Sequence, residues 1–281
     1  DIGTTGNVVQ LVDLNSARVI ASAQAYNAQI SCGEDIISRI IYSRRDGGLQ
    51  HLQKLVVDTL NGLIEQVAAA GGISPSHIMR ATVAGNTTMI QLFLGVDPQP
   101  LRLSPYIPAM THSVPVRARE INLGICPEAT VDCLPAVGAY VGGDISAGVL
   151  ASGMAERDET TLFLDIGTNG ELVLGNSEFL ICCACSAGPA FEGGGVQHGM
   201  RAAAGAIETV WINDRYEPTW RVIGDTAPRG ICGSGMISLL SEMLVAGVIN
   251  RGGRIQRHLP TPRVRVGDHG AEYVVATAEE T

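Results

Sequence analysis

Two short stretches of the chain carry the residue types best suited to phosphate chemistry. Residues 1–6 read Asp-Ile-Gly-Thr-Thr-Gly, and residues 165–170 read Asp-Ile-Gly-Thr-Asn-Gly. Hydroxyl and backbone N–H groups in such turns can wrap a phosphate, and an Asp at the end of a strand can hold a divalent cation through water. One Asp-x-Gly-Thr would be weak evidence, but two copies followed by the same pattern indicate an internal repeat.

Each motif is followed by a segment that predicts a β-hairpin. The first hairpin is predicted at 8–14 and 18–26 around the turn Asn15-Ser16, and the second at 171–174 and 179–185 around Gly175-Asn176. Gly and Asn at the turns supply the backbone conformations that tight hairpins need.

The rest of the chain alternates helical and extended patterns. Apolar periodicity and stop signals predict helices over 36–41, 49–70, 87–94, 145–154 and 236–245, and strands over 77–84, 131–134, 206–213 and a closing hairpin within 263–276. Residues 97–127 hold six Pro and few periodic runs, which indicates an inserted loop region or small hairpin that could act as a lid or contact surface. This order predicts an α/β fold with mixed sheets.

Composition limits the classes of partner. The net charge of −9 argues against a nucleic-acid partner, because phosphate backbones bind basic surfaces. No apolar run approaches the roughly 20 residues that cross a bilayer, and no signal peptide is recognisable, so no membrane partner is expected. The seven Cys follow no metal-finger spacing, which favours a reducing, cytoplasmic location. Because the chain opens directly on a functional motif, we expect it to be a fragment of a longer protein.

The two motifs, each with its hairpin, resemble the actin, sugar-kinase and heat-shock ATPase superfamily, and within it the ATP-dependent reductive activators of corrinoid proteins. The matching stretches are Gly-Glu-Asp-Ile-Ile-Ser-Arg-Ile at 33–40, Ala-Gly-Asn-Thr-Thr-Met at 84–89, Asp-Ile-Gly-Thr-Asn-Gly-Glu at 165–171, Ser-Ala-Gly-Pro-Ala-Phe-Glu-Gly at 186–193 and Gly-Ile-Cys-Gly-Ser-Gly at 230–235. The resemblance implies two ribonuclease-H-like lobes with an interlobe nucleotide cleft, at 1–143 and 144–281, the second truncated.

The resemblance also implies an activity. Such activators are homodimers that return a corrinoid protein from Co(II) to Co(I) for methyl transfer, including O-demethylation, with ATP and Mg²⁺ as cofactors. Their electron comes from an N-terminal [2Fe–2S] domain. No Cys pattern of this chain could hold such a cluster, so the donor is expected outside it.

The motifs supply the predicted nucleotide site. Asp1 and Asp165 are predicted to hold Mg²⁺ over the β- and γ-phosphates, although each could instead only cap its own turn. The predicted nucleotide-binding residues are Gly3, Thr4, Thr5, Gly167, Thr168, Asn169, Gly233 and Ser234.

Three further groups carry candidate roles. Asn86 opens a helix, where it could position an anion or the attacking water or be a plain N-cap. Asp144 is a candidate for water activation, with an N-cap role as its alternative. The Gly-rich loop from Ser186, with Gly188 and Glu192, is predicted to face the corrinoid, with the Ser186 hydroxyl on the cobalt; a lobe-closing hinge is the alternative.

Other functions remain open at this stage. Activators of 2-hydroxyacyl-CoA dehydratases share the lobes and hold a [4Fe–4S] cluster through a Cys just before an Ala-Gly pair, a place near that of Cys185. Core packing is the default expectation for Cys182, Cys183 and Cys185. A small-molecule kinase would need a pocket with a clear base, and none stands out. The remaining alternative is a non-catalytic, ATP-gated binding module.

Overall fold

The structure is a computed structural model that describes residues 1–167, 169–186, 196–267 and 270–281, with Ser186 described by its backbone only. The α-helices are α1 (Ile36–Ser43), α2 (Gly48–Ala70), α3 (Thr87–Leu94), α4 (Gly143–Ser152) and α5 (Gly233–Val245). The strands are β1 (Gly6–Asp13), β2 (Arg18–Tyr26), β3 (Arg80–Val83), β4 (Val116–Arg117), β5 (Thr130–Cys133), β6 (Thr161–Ile166), β7 (Asn169–Gly175), β8 (Leu180–Ser186), β9 (Ala206–Ile212), β10 (Pro218–Val222), β11 (Gly230–Ile231), β12 (Val264–Gly267) and β13 (Gly270–Tyr273).

Residue contacts divide the chain into two compact units. The first unit comprises 1–165 and 171–184, and the second comprises 166–170 and 185–281. The predicted lobe boundary near Gly143 stays a prediction, because units defined by contacts need not coincide with the halves of a duplicated fold.

The first unit is organised around small mixed sheets. Strands β1 and β2 form the first predicted hairpin, which is confirmed. Strand β5 lies between β3, to which it runs parallel, and β4, to which it runs antiparallel. Ile2 joins the hairpin to this sheet, because it bridges both Asn7 and Gly85.

Helix α2 forms the centre of the main core in the first unit. Its buried face includes Leu52, Val56 and Leu60, and it packs with α3 residues such as Phe93 and with β5 residues such as Val131. Apolar burial at this spacing explains why the long predicted helix forms.

Strands β6, β7 and β8 lie side by side in that order and contain the second predicted hairpin, which is confirmed. A second, smaller core forms where α4 meets this sheet, around Ile145 and Val173. A methyl group at Gly148 would lie 2.3 Å from the Phe163 ring, so the small residue lets α4 approach β6 closely.

In the second unit β9 is the central strand, with β10 antiparallel on one side and β11 parallel on the other. A third core surrounds Ile207, Val210 and Val222. Strands β12 and β13 pair as the predicted closing hairpin, which is confirmed.

Some sequence-based boundaries were wrong. The strand predicted from His77 begins only at Arg80, because Ser74 caps a 3₁₀ turn over Pro75–His77. Strand β10 was missed altogether. For 97–127 the loop alternative is correct: the segment is irregular, with short 3₁₀ turns and the two-residue β4. Among the described helices, none has both the length and the apolar character that a bilayer crossing requires.

Candidate functional site

The first Asp-x-Gly-Thr motif forms a tight loop fixed to the sheet beside it. The N–H of Gly3 donates to the carbonyl of Gly6 over 3.0 Å, and the N–H of Ile2 donates to Ala84 over 2.8 Å. A methyl group at Gly3 would lie 2.6 Å from the Gly6 carbonyl oxygen. The turn therefore requires Gly at this position.

Asn86 links this loop to the start of helix α3. Its side-chain Oδ1 accepts from the N–H of Met89 at 3.0 Å, so Asn86 is the N-cap of α3. Its Nδ2 donates to Thr4 Oγ1 at 3.0 Å. The capping role is thus confirmed, and the same amide also fixes a hydroxyl of the predicted phosphate loop.

The start of helix α4 lies against the same point. The N–H groups of Gly143 and Asp144 donate to the Gly85 carbonyl over 2.9 and 3.3 Å. A methyl group at Gly142 would lie 2.4 Å from Asn86 Cα and 2.7 Å from Asp144 Oδ1. The two helix starts therefore meet at Gly142, where the packing leaves no space for a side chain.

This arrangement excludes the N-cap role that was the alternative for Asp144. Gly142, not Asp144, is the N-cap of α4, and Asp144 lies in the first turn, where its Oδ1 accepts from the N–H of Ile145 over 2.9 Å. Water activation by Asp144 stays a prediction.

Three carboxyl groups of the first unit, those of Asp144, Asp165 and Glu171, have raised pKa values. Burial raises the pKa of Asp144 above its usual value, and the charge of Asp165 adds to this. Burial also raises the pKa of Asp165. Burial, followed by the charges of Asp144 and Asp165, raises the pKa of Glu171 to about 7. A site that makes its carboxylates costly to ionise favours a cation beside them.

The donor set suits Mg²⁺ better than a metal that needs a full protein cage. Among the described residues, no three His, Cys, Asp or Glu side chains converge closely enough to form a metal cage. Mg²⁺ usually keeps several waters and uses only one or two carboxylates. Asp165 and Asp144 would supply the one or two carboxylates that Mg²⁺ uses. Asp1 is exposed, and its pairing with Asp165 stays a prediction.

The raised pKa of Glu171 leads to a stability prediction. A carboxyl with a folded-state pKa near 7 favours folding when protonated, and this contribution is lost as the pH rises from its usual 4.5 through 7. In metal-free buffer, Glu171→Gln should leave the melting temperature unchanged at pH 4.5 and raise it by about 3 °C at pH 8. Glu178→Gln, at the exposed turn of the same hairpin, should change neither value. Equal shifts at both pH values would contradict the prediction.

The second motif belongs partly to the second unit. The N–H of Gly167 donates to the Asn169 carbonyl over 2.8 Å, and Cys185 Sγ donates to the Gly170 carbonyl over 3.0 Å. Thr168 lies outside the described residues. Gly167 and Asn169 stay predicted phosphate-binding residues.

The motif at 230–235 opens helix α5, as predicted. Cys232 is the N-cap residue, and its buried Sγ lies 3.3 Å from Ser234 Oγ. A methyl group at Gly235 would lie 2.1 Å from the Ile207 carbonyl oxygen, so this Gly lets α5 pack onto β9. The nucleotide-binding role of Gly233 and Ser234 stays a prediction.

The predicted corrinoid-facing residues Gly188 and Glu192 lie outside the described residues, and Ser186 ends strand β8. The expectation that the cysteines of β8 pack in the core was wrong for two of them. Cys183 and Cys185 are exposed, and Cys182 is half-buried against the second core. Strand β8 is an edge strand, and an edge position leaves more of a strand open to solvent.

Sequence reasoning missed the residues that support the first loop. Arg39 and Gln29 are completely buried, and so is Asn27, whose Nδ2 donates to the Gly3 carbonyl over 2.9 Å. The available signal was an Arg between Ile36 and Ile40, within the apolar stripe of a helix. The sequence-based prediction also assigned no role to Glu171, although this residue follows Asn169 on the same face of a strand.

Comparisons with known proteins identify the family of the chain. The family model described as the RACo middle region matches residues 1–157, and the model described as the C-terminal domain of RACo, the ASKHA domain, matches 159–281. A solved structure of a reductive activator for corrinoid, iron–sulfur protein is similar over 100% of this chain and 45% of its own, with a TM-score of 0.89 and 50% identity.

Two curated relatives are similar as well. The corrinoid activation enzyme RamQ of Eubacterium limosum is 35% identical over 254 residues, which are 90% of this chain and 42% of the relative. A Co(II) methylated amine-specific corrinoid protein reductase of Methanosarcina barkeri is 24% identical over 287 residues, 89% of this chain and 51% of the relative. The chain thus spans about half the length of the curated relatives it matches.

Proposed function

Because the chain belongs to the RACo family and spans its middle region and its C-terminal ASKHA domain, we propose that it is the ATP-binding part of a reductive activator of corrinoid proteins. The activator returns the cobalt of its partner from Co(II) to Co(I) with one electron. The electron comes from a [2Fe–2S] domain outside this chain. The full-length protein works in the cytoplasm as a homodimer.

The observation that carries the nucleotide role is the meeting of the first loop with the starts of α3 and α4. Thr4 Oγ1, the Asn86 amide and the Asp144 carboxyl come together there, held by the Gly85 carbonyl and the close contact at Gly142. Hydroxyls and helix N-termini bind phosphate, and a carboxyl at this place can orient a water toward it.

The carboxylates complete the proposed site. Asp165 and Asp144 would hold Mg²⁺, which when bound neutralises charge on the β- and γ-phosphates. Asn86 orients Thr4, and Asp144 holds a water by hydrogen bonding. Glu171, with its pKa near 7, accepts or releases a proton as the charge of the site changes.

ATP can drive an unfavourable reduction only if its binding is coupled to the corrinoid partner. A ligand shifts an equilibrium by its difference in affinity for the two states, and the coupling is reciprocal. The corrinoid protein should therefore change the affinity for ATP as much as ATP changes the affinity for the corrinoid protein.

The test uses the full-length protein with candidate corrinoid proteins and a chemical reductant. Visible absorption follows the conversion of Co(II) to Co(I) with ATP and Mg²⁺, with ADP and Mg²⁺, and without nucleotide. We expect conversion only with ATP. If no corrinoid protein responds and iron is found bound at Cys185, the proposal is replaced by an activator of a 2-hydroxyacyl-CoA dehydratase.

A further inference from the structure

The largest completely buried side chain of the described residues is a cation. Arg39, on α1, is 0% exposed. Its Nε donates to the Gly33 carbonyl at 2.9 Å, and its Nη1 donates to Gln29 Oε1 at 3.2 Å and lies 3.2 Å from Met89 Sδ. Its Nη2 donates to the Thr4 carbonyl at 2.5 Å. The guanidinium therefore reaches the first Asp-x-Gly-Thr loop from inside the protein.

Within the part of the chain that the structure describes, no carboxylate forms an ion pair with this charge. Among the ion pairs of the described residues, none includes Arg39. Burial lowers its pKa to about 10, and the titratable groups that face it, Asp35 and Cys32, act from farther away in the opposite direction. Arg39 is thus charged at neutral pH. A buried charge that is paired only with neutral hydrogen-bond acceptors is costly, and such costs are typical of functional sites.

The network beneath the loop binds three consecutive carbonyl groups. Arg39 binds that of Thr4, the Asn27 side chain binds that of Gly3, and the Asn27 N–H donates to that of Thr5 over 2.9 Å. The C=O and N–H of a trans peptide point in opposite directions. The amides that follow Gly3 and Thr4 are therefore directed away from the network, as in an anion-binding turn.

We propose that Arg39 is a positioning residue for the nucleotide phosphates and supplies the positive charge that they neutralise. It holds the loop so that its amides face the ligand, and its charge, separated from the ligand by one peptide layer, attracts the phosphate chain. The ligand class is a nucleoside polyphosphate. This inference rests on the proposed function, which assigns the nucleotide to this loop.

Gln29→Glu separates the charge of Arg39 from its geometry. Glu keeps an oxygen for the bond to Arg39 Nη1 but adds a carboxylate that cancels the positive charge. It also loses the donor from Gln29 Nε2 to the Leu52 carbonyl, a bond of 2.9 Å. Gln53→Glu is the matched control, because its half-buried amide donates to the Phe93 carbonyl at 3.0 Å and does not contact the loop.

The experiment measures binding of ATP with Mg²⁺ to the full-length protein by calorimetry. We expect Gln29→Glu to weaken binding about tenfold, the change that about 1.4 kcal/mol produces, and Gln53→Glu to leave it unchanged. If Gln29→Glu binds ATP as the control does, the inference is overturned. If the wild type binds no ATP, the proposed function fails, and this inference with it.

Arg39→Lys provides an independent readout should Gln29→Glu fold poorly. A buried Lys loses its proton far more readily than Arg. The variant should bind ATP nearly as well as the wild type at pH 6 and about tenfold more weakly at pH 9, because the charge is then gone. A purely structural role predicts the same ratio of variant to wild type at both pH values, and that result would overturn the inference.

Discussion

Asp165→Asn is expected to lower ATP-dependent corrinoid reduction by about 100- to 1000-fold, the range found when one preorganised electrostatic contact is lost. Asn keeps the size of the side chain but cannot supply the negative charge that holds Mg²⁺ on the phosphates. Burial raises the pKa of Asp165, and its charge opposes those of Asp144 and Glu171. Removing that charge should therefore leave the stability of the folded protein at pH 8 equal or higher.

The combination of lost activity and retained stability distinguishes this result from unfolding. The measurements are the rate of Co(I) formation at saturating ATP and the melting temperature of the same preparation. Asp158→Asn, an exposed change in the same unit at a residue that accepts from Ser177 Oγ, should alter neither. A variant that keeps ATP-dependent reduction would exclude Asp165 from the metal site, and Asp1 would then be the next residue to replace.

The sequence was sufficient where local chemistry decides the structure. Turn residues at Asn15 and Gly175 correctly located both hairpins, because tight turns and a positive backbone φ admit few residue types. The apolar spacing of α2 and the N-cap of α3 were predicted for similar reasons. The family resemblance, which the comparisons confirm, rested on the same local motifs.

Contacts between distant segments were beyond local reasoning. Arg39 reaches the loop only because α1, α3 and the first motif pack together. Its bond to Thr4 joins residues that are 35 positions apart in the sequence. The exposure of Cys185 depends on strand order, which puts β8 at an edge. The raised pKa of Glu171 depends on burial and then on the charge of Asp144, which lies in a different element. Residue type gives only a default expectation for the position of Arg39, the exposure of Cys185 and the pKa of Glu171, and tertiary packing changes all three.

Gly142→Ala is expected to lower ATP-dependent reduction about 100-fold, although Gly142 itself contributes no catalytic side chain. The added methyl would lie 2.4 Å from Asn86 Cα and 2.7 Å from both Asp144 Oδ1 and the Gly85 carbonyl oxygen. Two of these atoms belong to the backbone, so the start of α4 must move away from the start of α3. A displacement of about 1 Å between groups that act together is enough for such a loss.

Gly138→Ala is the matched control, since a methyl group there meets no atom within 4 Å and lies in the same segment before α4. It should retain full activity. Overpacking at Gly142 should also destabilise the protein by about 1–3 kcal/mol, so activity is compared at a temperature where both variants are folded. A Gly142→Ala variant with an unchanged rate would show that the spacing between Asn86 and Asp144 is not needed for the reaction. A rate that falls while ATP still binds would place their joint role in the chemical step.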